Sequence, residues 1–172
     1  MRKEYRRELK KAFQKQLQSI APEYELVKLK SMYVDASEMI FRRVVNDNLH
    51  LFILLVPHHH GMDQFTIEVG WSKKARFPEL GIRPSPPFQH ENAFSLDEYV
   101  CRIGTLDGSG DRWWQVGKQS DIGKDPLKAV VESTRQISSE EAQYAVEKPV
   151  NASIESVRQF CLPFLNKLSD VK

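Results

Sequence analysis

Residues 49–71 read LHLFILLVPHHHGMDQFTIEVGW, and this stretch decides the fold of the chain. Two strand-like runs flank a turn that contains Pro57 and Gly61, which is the pattern of a long antiparallel hairpin. The first run, Leu49 to Val56, is apolar at seven of its eight positions, so we expect both of its faces to be covered. The second run alternates apolar and polar residues, which predicts a partner strand with one solvent-exposed face.

Further strands on both sides extend this hairpin into a sheet. Before it, alternation predicts a strand from about Tyr24 to Val34 and another from Met39 to Val45. After it, strands are predicted over residues 99–106 and 112–116, with the glycine-rich segment 107–111 as the hairpin turn between them. Because the connections between neighbours are short, the predicted sheet is an antiparallel meander of about six strands.

An amphipathic helix precedes the sheet. Its apolar residues recur at spacings of three and four, which is the helical period, and Pro22 ends it. The members of this stripe are Tyr5, Leu9, Phe13, Leu17 and Ile20.

The last third of the chain is also predicted to be helical. Asp125 caps a helix whose apolar stripe reaches Ile137, and Pro149 is expected to break the pattern that follows. A final helix is expected to begin near Ser153, and Pro163 to end or kink it. Together with the sheet, these helices predict a single α+β domain over residues 1–172.

Composition restricts the possible functions. The net charge of +2 indicates neither a nucleic-acid nor a membrane partner by itself, and the longest apolar run of eight residues is far too short to span a bilayer. No apolar segment follows the charged N-terminal residues, so we expect no signal peptide and a cytoplasmic protein. Two cysteines, Cys101 and Cys161, are too few for a disulfide framework and are interpreted as buried thiols. Nothing in the composition calls for a cofactor.

The first helix is strongly basic. Seven cationic residues against two glutamates give residues 1–15 a charge of +5, which leaves the other 157 residues at −3. Cations in a first helical turn oppose the helix dipole, so this charge does not serve helix stability. Two interpretations remain open: a solvated outer face, or a surface for phosphates or an acidic partner. The candidate partner-binding residues are Arg6, Arg7, Lys10 and Lys11.

A proline-rich loop is predicted over residues 72–98. Four prolines and three phenylalanines occur there without periodicity, and long loops of this kind are often binding segments. Phe77 and Phe88 are therefore further candidates for contact with a partner. The alternative is a structural excursion that covers a sheet edge.

Candidate chemistry is sparse. His58, His59 and His60 could ligate a metal, but adjacent residues on a strand point to opposite sides, so the favoured interpretation is an exposed turn and no metal site. No nucleophile motif is present, and no catalytic residue is assigned. Glu68 is expected to form a cross-strand ion pair with Arg42 or Arg43.

Two short motifs resemble a bacterial "domain of unknown function" family. These are CRIGTLDGSGDRWW at residues 101–114 and FCLPFL at residues 160–165. The resemblance implies an N-terminal helix, an antiparallel sheet and a bacterial cytosolic setting, and it carries no catalytic residue across. Chains of this size and style also resemble the immunity proteins of bacterial toxin systems. The matching residues are Arg102, Ile103, Gly104, Leu106, Trp113, Trp114, Leu162, Pro163, Phe164 and Leu165.

These features together predict a non-catalytic, immunity-like module that binds another protein. The alternative hypothesis is a nucleic-acid-associated protein that uses the basic first helix, and the third is a metal-dependent activity at residues 58–60. We expect no membrane partner. An enzyme is the less favoured class.

Overall fold

A computed structural model of the chain describes residues 1–28, 38–58, 62–75, 93–117 and 135–169. The helices are α1 (Lys3–Ile20), α2 (Ile103–Asp107), α3 (Ser139–Ser156) and α4 (Leu162–Ser169). The strands are β1 (Glu25–Val27), β2 (Met39–Val44), β3 (His50–Pro57), β4 (Gln64–Ser72), β5 (Glu98–Arg102) and β6 (Trp114–Gln115). They form one antiparallel sheet in the order β1-β2-β3-β4-β5, with β6 also paired to β4. The predicted α+β class and antiparallel meander are confirmed.

The β3–β4 hairpin lies at the centre of this sheet. Its register aligns His50 with Ser72 at one end and Pro57 with Phe65 at the other. Every residue of β3 is buried, which confirms that both faces of the first apolar run are covered. Because β2 and β4 pair with its two edges, β3 has no exposed surface on any side.

The predicted solvent-exposed face of β4 is wrong. Thr66, Glu68 and Ser72 are all buried. Each of these polar groups has a partner: Thr66 Oγ1 donates to the Arg112 carbonyl at 2.7 Å, and Ser72 Oγ donates to a Glu98 carboxylate oxygen at 3.1 Å. A hydrogen-bonded polar group costs much less to bury than an unpaired one, so polar alternation here marks a row of buried polar contacts.

The helices cover one face of the sheet. The predicted stripe of α1 is buried except for Ile20, which is partly buried, and Phe13 packs against Phe41 of β2 with ring centroids 5.8 Å apart. Phe164 of α4 packs against Trp71 of β4 at 5.6 Å. This helix-covered face contains the larger apolar cluster, and the predicted packing by N-terminal and C-terminal helices is confirmed.

A second, smaller apolar cluster occupies the opposite face. Its buried members are Ile40, Phe52, Leu54 and Val56, with Val27 partly buried beside them. All of the described residues in this cluster come from strands β1, β2 and β3. Since its members are at most 4 % exposed, the sheet is buried on both faces around β3.

The helix α3 is longer than predicted. It begins at Ser139, where the Ser138 hydroxyl accepts a hydrogen bond from the Glu141 amide at 3.1 Å, and it runs through Pro149 to Ser156. The expected break at Pro149 and the expected helix start near Ser153 are therefore wrong. Burial of one continuous apolar stripe outweighs the hydrogen bond that the proline removes. The stripe comprises Ala142, Val146, Val150 and Ile154.

A π-helical turn, Val157–Cys161, joins α3 to α4. There the Leu162 amide donates to the Val157 carbonyl, five residues back. Pro163 follows directly, and its missing N–H would interrupt a regular α-helical ladder at this point. The helical path continues beyond Pro163, so the kink alternative fits the structure and termination does not.

The segment after β5 was predicted incorrectly. The strand ends at Arg102 and α2 follows, so residues 107–111 are not a hairpin turn. A Cβ on Gly104 would lie 2.0 Å from the Gly110 carbonyl oxygen, and this close approach, with Gly108 at φ 77°, folds the chain back. As a result β5 and β6 pair with different parts of β4 and not with each other.

Several predicted features lie wholly or partly outside the described residues. These are most of the strand after Val27, the helix start at Asp125 and the middle of the 72–98 loop. Of that loop, Ser72 belongs to β4 and Glu98 to β5, while Ala93–Ser95 form a short 3₁₀ turn.

We expect Gly70→Ala to destabilise the protein by about 2–4 kcal/mol, because a Cβ there would lie 2.0 Å from the Tyr99 carbonyl oxygen and separate β4 from β5. Gly108→Ala is the matched control. It has a positive φ of 77° and no atom within 4 Å, so its cost should be about 1 kcal/mol. Urea denaturation measures both variants. Equal costs would contradict the steric argument.

Candidate functional site

The basic residues of α1 lie on the part of the helix that faces away from the sheet. Tyr5, Leu9, Phe13 and Leu17 take the buried side. Among the predicted partner-binding residues, Arg7 and Lys11 are exposed, and Arg6 and Lys10 are partly buried. The structure therefore places these four cations on one helix and exposes two of them, Arg7 and Lys11.

Glu8 forms ion pairs with two of these cationic side chains. Its carboxylate accepts hydrogen bonds from Arg7 Nε at 2.8 Å and from Lys11 Nζ at 3.1 Å. These hydrogen bonds, the one from Arg7 first, lower the pKa of Glu8 below its ordinary value. The resulting triad holds two cationic side chains in defined positions on the outer surface of the helix.

The helix α3 lies parallel to α1 and widens this surface. The guanidinium of Arg7 donates to the Ser139 hydroxyl at the start of α3, and Gln16 donates to the Asn151 side chain at 2.6 Å further along. Both partner numbers increase together, so the two helices run in the same direction. The outer surface of α1 and α3 is hereafter called the two-helix face.

Tyr144 is the most exposed large apolar side chain of the described residues, at 82 %. It lies seven residues before Asn151, so both are on the flank of α3 that adjoins α1. Tyr144 was not among the predicted partner-binding residues, although it lies in the helical pattern that precedes Pro149. The available signal was its position off the apolar stripe formed by Ala142, Val146 and Val150.

The histidine turn is only partly described. The His58 ring packs edge-on against Trp113 with centroids 4.9 Å apart, and its amide donates to the Gln64 carbonyl at 2.9 Å. His59 and His60 lie outside the described residues. Within the described ranges there is no group of three residues that could ligate a metal. The metal hypothesis stays a prediction.

Only the two ends of the 72–98 loop, residues 72–75 and 93–98, belong to the described part of the chain. Phe77 and Phe88 lie outside the described residues, so their role as partner contacts stays a prediction. Phe94 stacks on Trp71 with centroids 5.5 Å apart, and the Trp71 indole donates to the Leu96 carbonyl at 3.2 Å. The Lys73 amide donates to the Asp97 carbonyl at 2.7 Å, so both ends of the loop are tied together.

Glu68 pairs with Arg102 of β5, and the expected pairing with Arg42 or Arg43 is wrong. The two residues are directly opposite in the β4–β5 register, with Arg102 Nε 3.7 Å from a Glu68 carboxylate oxygen. In the β3–β4 register Glu68 lies opposite Leu54 of β3. The strand β3 therefore separates Glu68 from β2. The error arose because the sequence does not reveal which strand takes the second edge of β4.

Arg102 is the centre of a small polar cluster at this edge. Besides Glu68 it forms an ion pair with Asp111, and its guanidinium lies 4.7 Å from the Trp113 ring centroid. A guanidinium over an indole face is a favourable cation–π arrangement. Trp113 thus shields the ion pairs, whereas Trp114 stacks on Phe65 at 5.6 Å. Both indoles are half-buried, and Trp114 packs against the larger cluster.

Neither cysteine is suited to nucleophilic chemistry. Cys101 and Cys161 are buried free thiols, as the sequence predicted. Burial raises the pKa of Cys101 to about 12 and that of Cys161 well above its ordinary value. Since the thiolate is the reactive form, both side chains are inert at neutral pH.

Comparisons with protein-family models, with curated proteins and with solved structures found no match to this chain. The resemblance to a bacterial family therefore stays a prediction. None of the described helices has both the length and the apolar character needed to cross a membrane.

We expect Arg7→Gln to raise the pKa of Glu8 toward its ordinary value, since Arg7 is the principal cause of its lowering. A carboxyl group whose pKa is lowered by folding stabilises the folded protein at pH values above its ordinary pKa. This stabilisation is lost as the pH falls through the folded-state pKa. Carboxyl ¹³C NMR measures the titration. Arg158→Gln, which removes a more distant cation, should leave the Glu8 curve unchanged; a shift of equal size there would contradict the pairing.

We expect Arg102→Leu to destabilise the protein by about 2–4 kcal/mol, because it removes the ion pair between Arg102 and the buried Glu68 carboxylate. Adding Glu68→Leu should restore part of this loss, since both charges are then absent. Chemical denaturation of the two single variants and the double variant gives the coupling energy. Additive losses would show that the two side chains act independently.

Proposed function

We propose that this chain is a non-catalytic protein-binding module whose binding surface is the two-helix face. The observation that carries the proposal is the exposure of Tyr144, at 82 %, within a surface of fixed charges. Burying an aromatic side chain of this size against a partner would contribute about 1.5–3 kcal/mol to binding, because Tyr144 is exposed in the isolated chain. Tyrosine and arginine are the residue types over-represented among binding hot spots.

The environment of Tyr144 supports this role. Within the described part of the chain its side chain makes no hydrogen bond, ion pair or ring contact. The apolar stripe that holds α3 on the core does not include it. Arg7 donates a hydrogen bond to Ser139 at the start of α3 and supplies a guanidinium on the same face. A tyrosine anchor has only two rotatable side-chain bonds and therefore loses little entropy on binding.

Charge favours a protein partner over a nucleic acid. The helix α1 carries six cationic and two acidic residues, or +4, and α3 carries four acidic residues and one lysine, or −3. The two-helix face is therefore divided into a positive and a negative half. A uniformly negative polymer would be attracted by one half and repelled by the other, whereas a folded protein can match both.

Immunity-type neutralisation of a bacterial toxin is the specific form of this function that we propose. Such a role requires a rigid surface that covers another protein and no chemistry of its own. The inert thiols and the regular pair of helices are consistent with that requirement. The resemblance to immunity proteins is the reason why a bacterial toxin is proposed as the partner.

Nucleic-acid binding is the second candidate, and one observation favours it. Lys3, Arg7, Lys11 and Lys15 recur every four residues along α1, and all four are exposed. Residues at this spacing lie on one side of a helix, so the cations form a continuous row. A row of this kind can contact successive phosphates.

We expect Tyr144→Ala to weaken partner binding more than tenfold while changing the free energy of unfolding by less than about 0.5 kcal/mol. The wild-type protein first captures its partner from nuclease-treated lysate of the native host, and calorimetry then measures affinity with the purified partner. Gln159→Ala, at an exposed position on the π-helical turn, is the control and should bind as the wild type does. Unchanged affinity of Tyr144→Ala would remove the two-helix face as the site.

A charge-matched pair of variants separates the two candidates. Arg7→Glu with Lys11→Glu reverses the face, and Lys28→Glu with Lys74→Glu makes the same change in net charge elsewhere. For nucleic acid, affinity should fall steeply with salt and only the first variant should lose binding. Salt-dependent nucleic-acid binding lost only in that variant, without capture of a protein, would replace the protein-binding proposal with the second candidate.

A further inference from the structure

A cleft of about 510 Å³ opens at one end of the sheet, away from the two-helix face. The turn between β2 and β3 contributes Asn46, Asn48 and Leu49, and Phe94 comes from the 3₁₀ turn. Lys73 follows β4, and Lys167 lies near the end of α4. This volume falls in the range of small-molecule sites.

The floor of the cleft is apolar. Leu49 and Leu168 are 8 % and 7 % exposed, whereas Phe94 remains 39 % exposed although it stacks on Trp71. Asn46 shapes the wall: its side-chain oxygen accepts hydrogen bonds from the Asn48 and Leu49 amides, both at 2.9 Å. The Ala75 amide donates to the Asn48 carbonyl at 2.8 Å and fastens this turn to the end of β4. The cleft therefore has a wall fixed by hydrogen bonds from backbone amides, a floor of two buried leucines and one partly exposed aromatic side chain, Phe94.

Among the described lining residues, the rim carries two cations and no carboxylate. Lys73 Nζ donates to the Phe94 carbonyl at 2.5 Å, which leaves two of its three N–H groups available. The Asp97 carboxylate forms an ion pair with the neighbouring Lys74, whose Nζ lies 3.0 Å from Asp97 Oδ2, and not with Lys73. Among the described residues neither Lys73 nor Lys167 has an acidic partner. Two unneutralised ammonium groups at one opening favour an anion between them.

We propose that this cleft binds a small organic carboxylate with an apolar chain. The carboxylate would accept hydrogen bonds from the two lysines, and the chain would cover Leu49, Phe94 and Leu168. A carboxylate only accepts hydrogen bonds, which matches a rim whose side-chain ammonium groups only donate. The proposal is independent of the protein-binding function, because none of the lining residues belongs to α1 or α3.

Titration of the ¹⁵N-labelled full chain with sodium octanoate tests the proposal. We expect saturable amide shifts at Leu49, Phe94 and Leu168. Octan-1-ol, which has the chain without the charge, and acetate, which has the charge without the chain, should both bind more weakly. No saturation below about 10 mM, or equal binding of octanol, would overturn the proposal.

Lysine variants connect the binding to the rim. Lys73→Gln and Lys167→Gln should each weaken octanoate binding about two- to fivefold, as expected for exposed charge pairs. Lys148→Gln on α3 removes the same charge elsewhere and should leave the affinity unchanged. Lys167 is exposed and makes no described contact, so its variant keeps the fold even if Lys73→Gln does not. Octanoate binding that survives Lys167→Gln unchanged would show that the rim charges do not hold the ligand.

Discussion

The whole structure depends on the burial of β3 on both faces. A strand with no exposed position needs a layer on each side and a neighbour at each edge, and each of these requirements recruits another part of the chain. The helices α1 and α4 supply the layer on one face through Phe13 and Phe164. The strand β4 pairs with one edge of β3. Its own other edge pairs with β5 and β6, which lie at different positions along β4.

Burial of the β4 polar row shows how such a core tolerates polar residues. Thr66, Glu68 and Ser72 each find a partner on β5 or in the segment leading to β6. Their contacts favour β5 at this edge, because another strand would not place the Arg102 and Glu98 side chains beside Glu68 and Ser72. We infer that the polar row contributes to the choice of strand neighbour as well as to stability.

The fold was predictable wherever one local pattern decided it. The apolar run of β3 and the stripe of α1 each have a single structural solution, and both were found from sequence. Prediction failed at Pro149, where the burial of four apolar residues overrides a local helix-breaking preference. It failed again at Gly104, whose helical turn depends on close contact with Gly110. For the candidate site, the cations of α1 were identifiable, but Tyr144 and the terminal cleft depend on which distant segments become neighbours.

The parallel pairing of α1 and α3 has a consequence for how the chain folds. Its cross-helix hydrogen bonds join residues 132 and 135 positions apart, so α1 acquires its neighbour only when most of the chain has collapsed. Before that, the apolar stripe of α1 can pack only against the sheet, as Phe13 does against Phe41 of β2. High sequence separation of this kind slows folding. The connections between β2 and β3 and between β3 and β4 have only five and six residues, so these two strand pairings are far more local than the contact between α1 and α3.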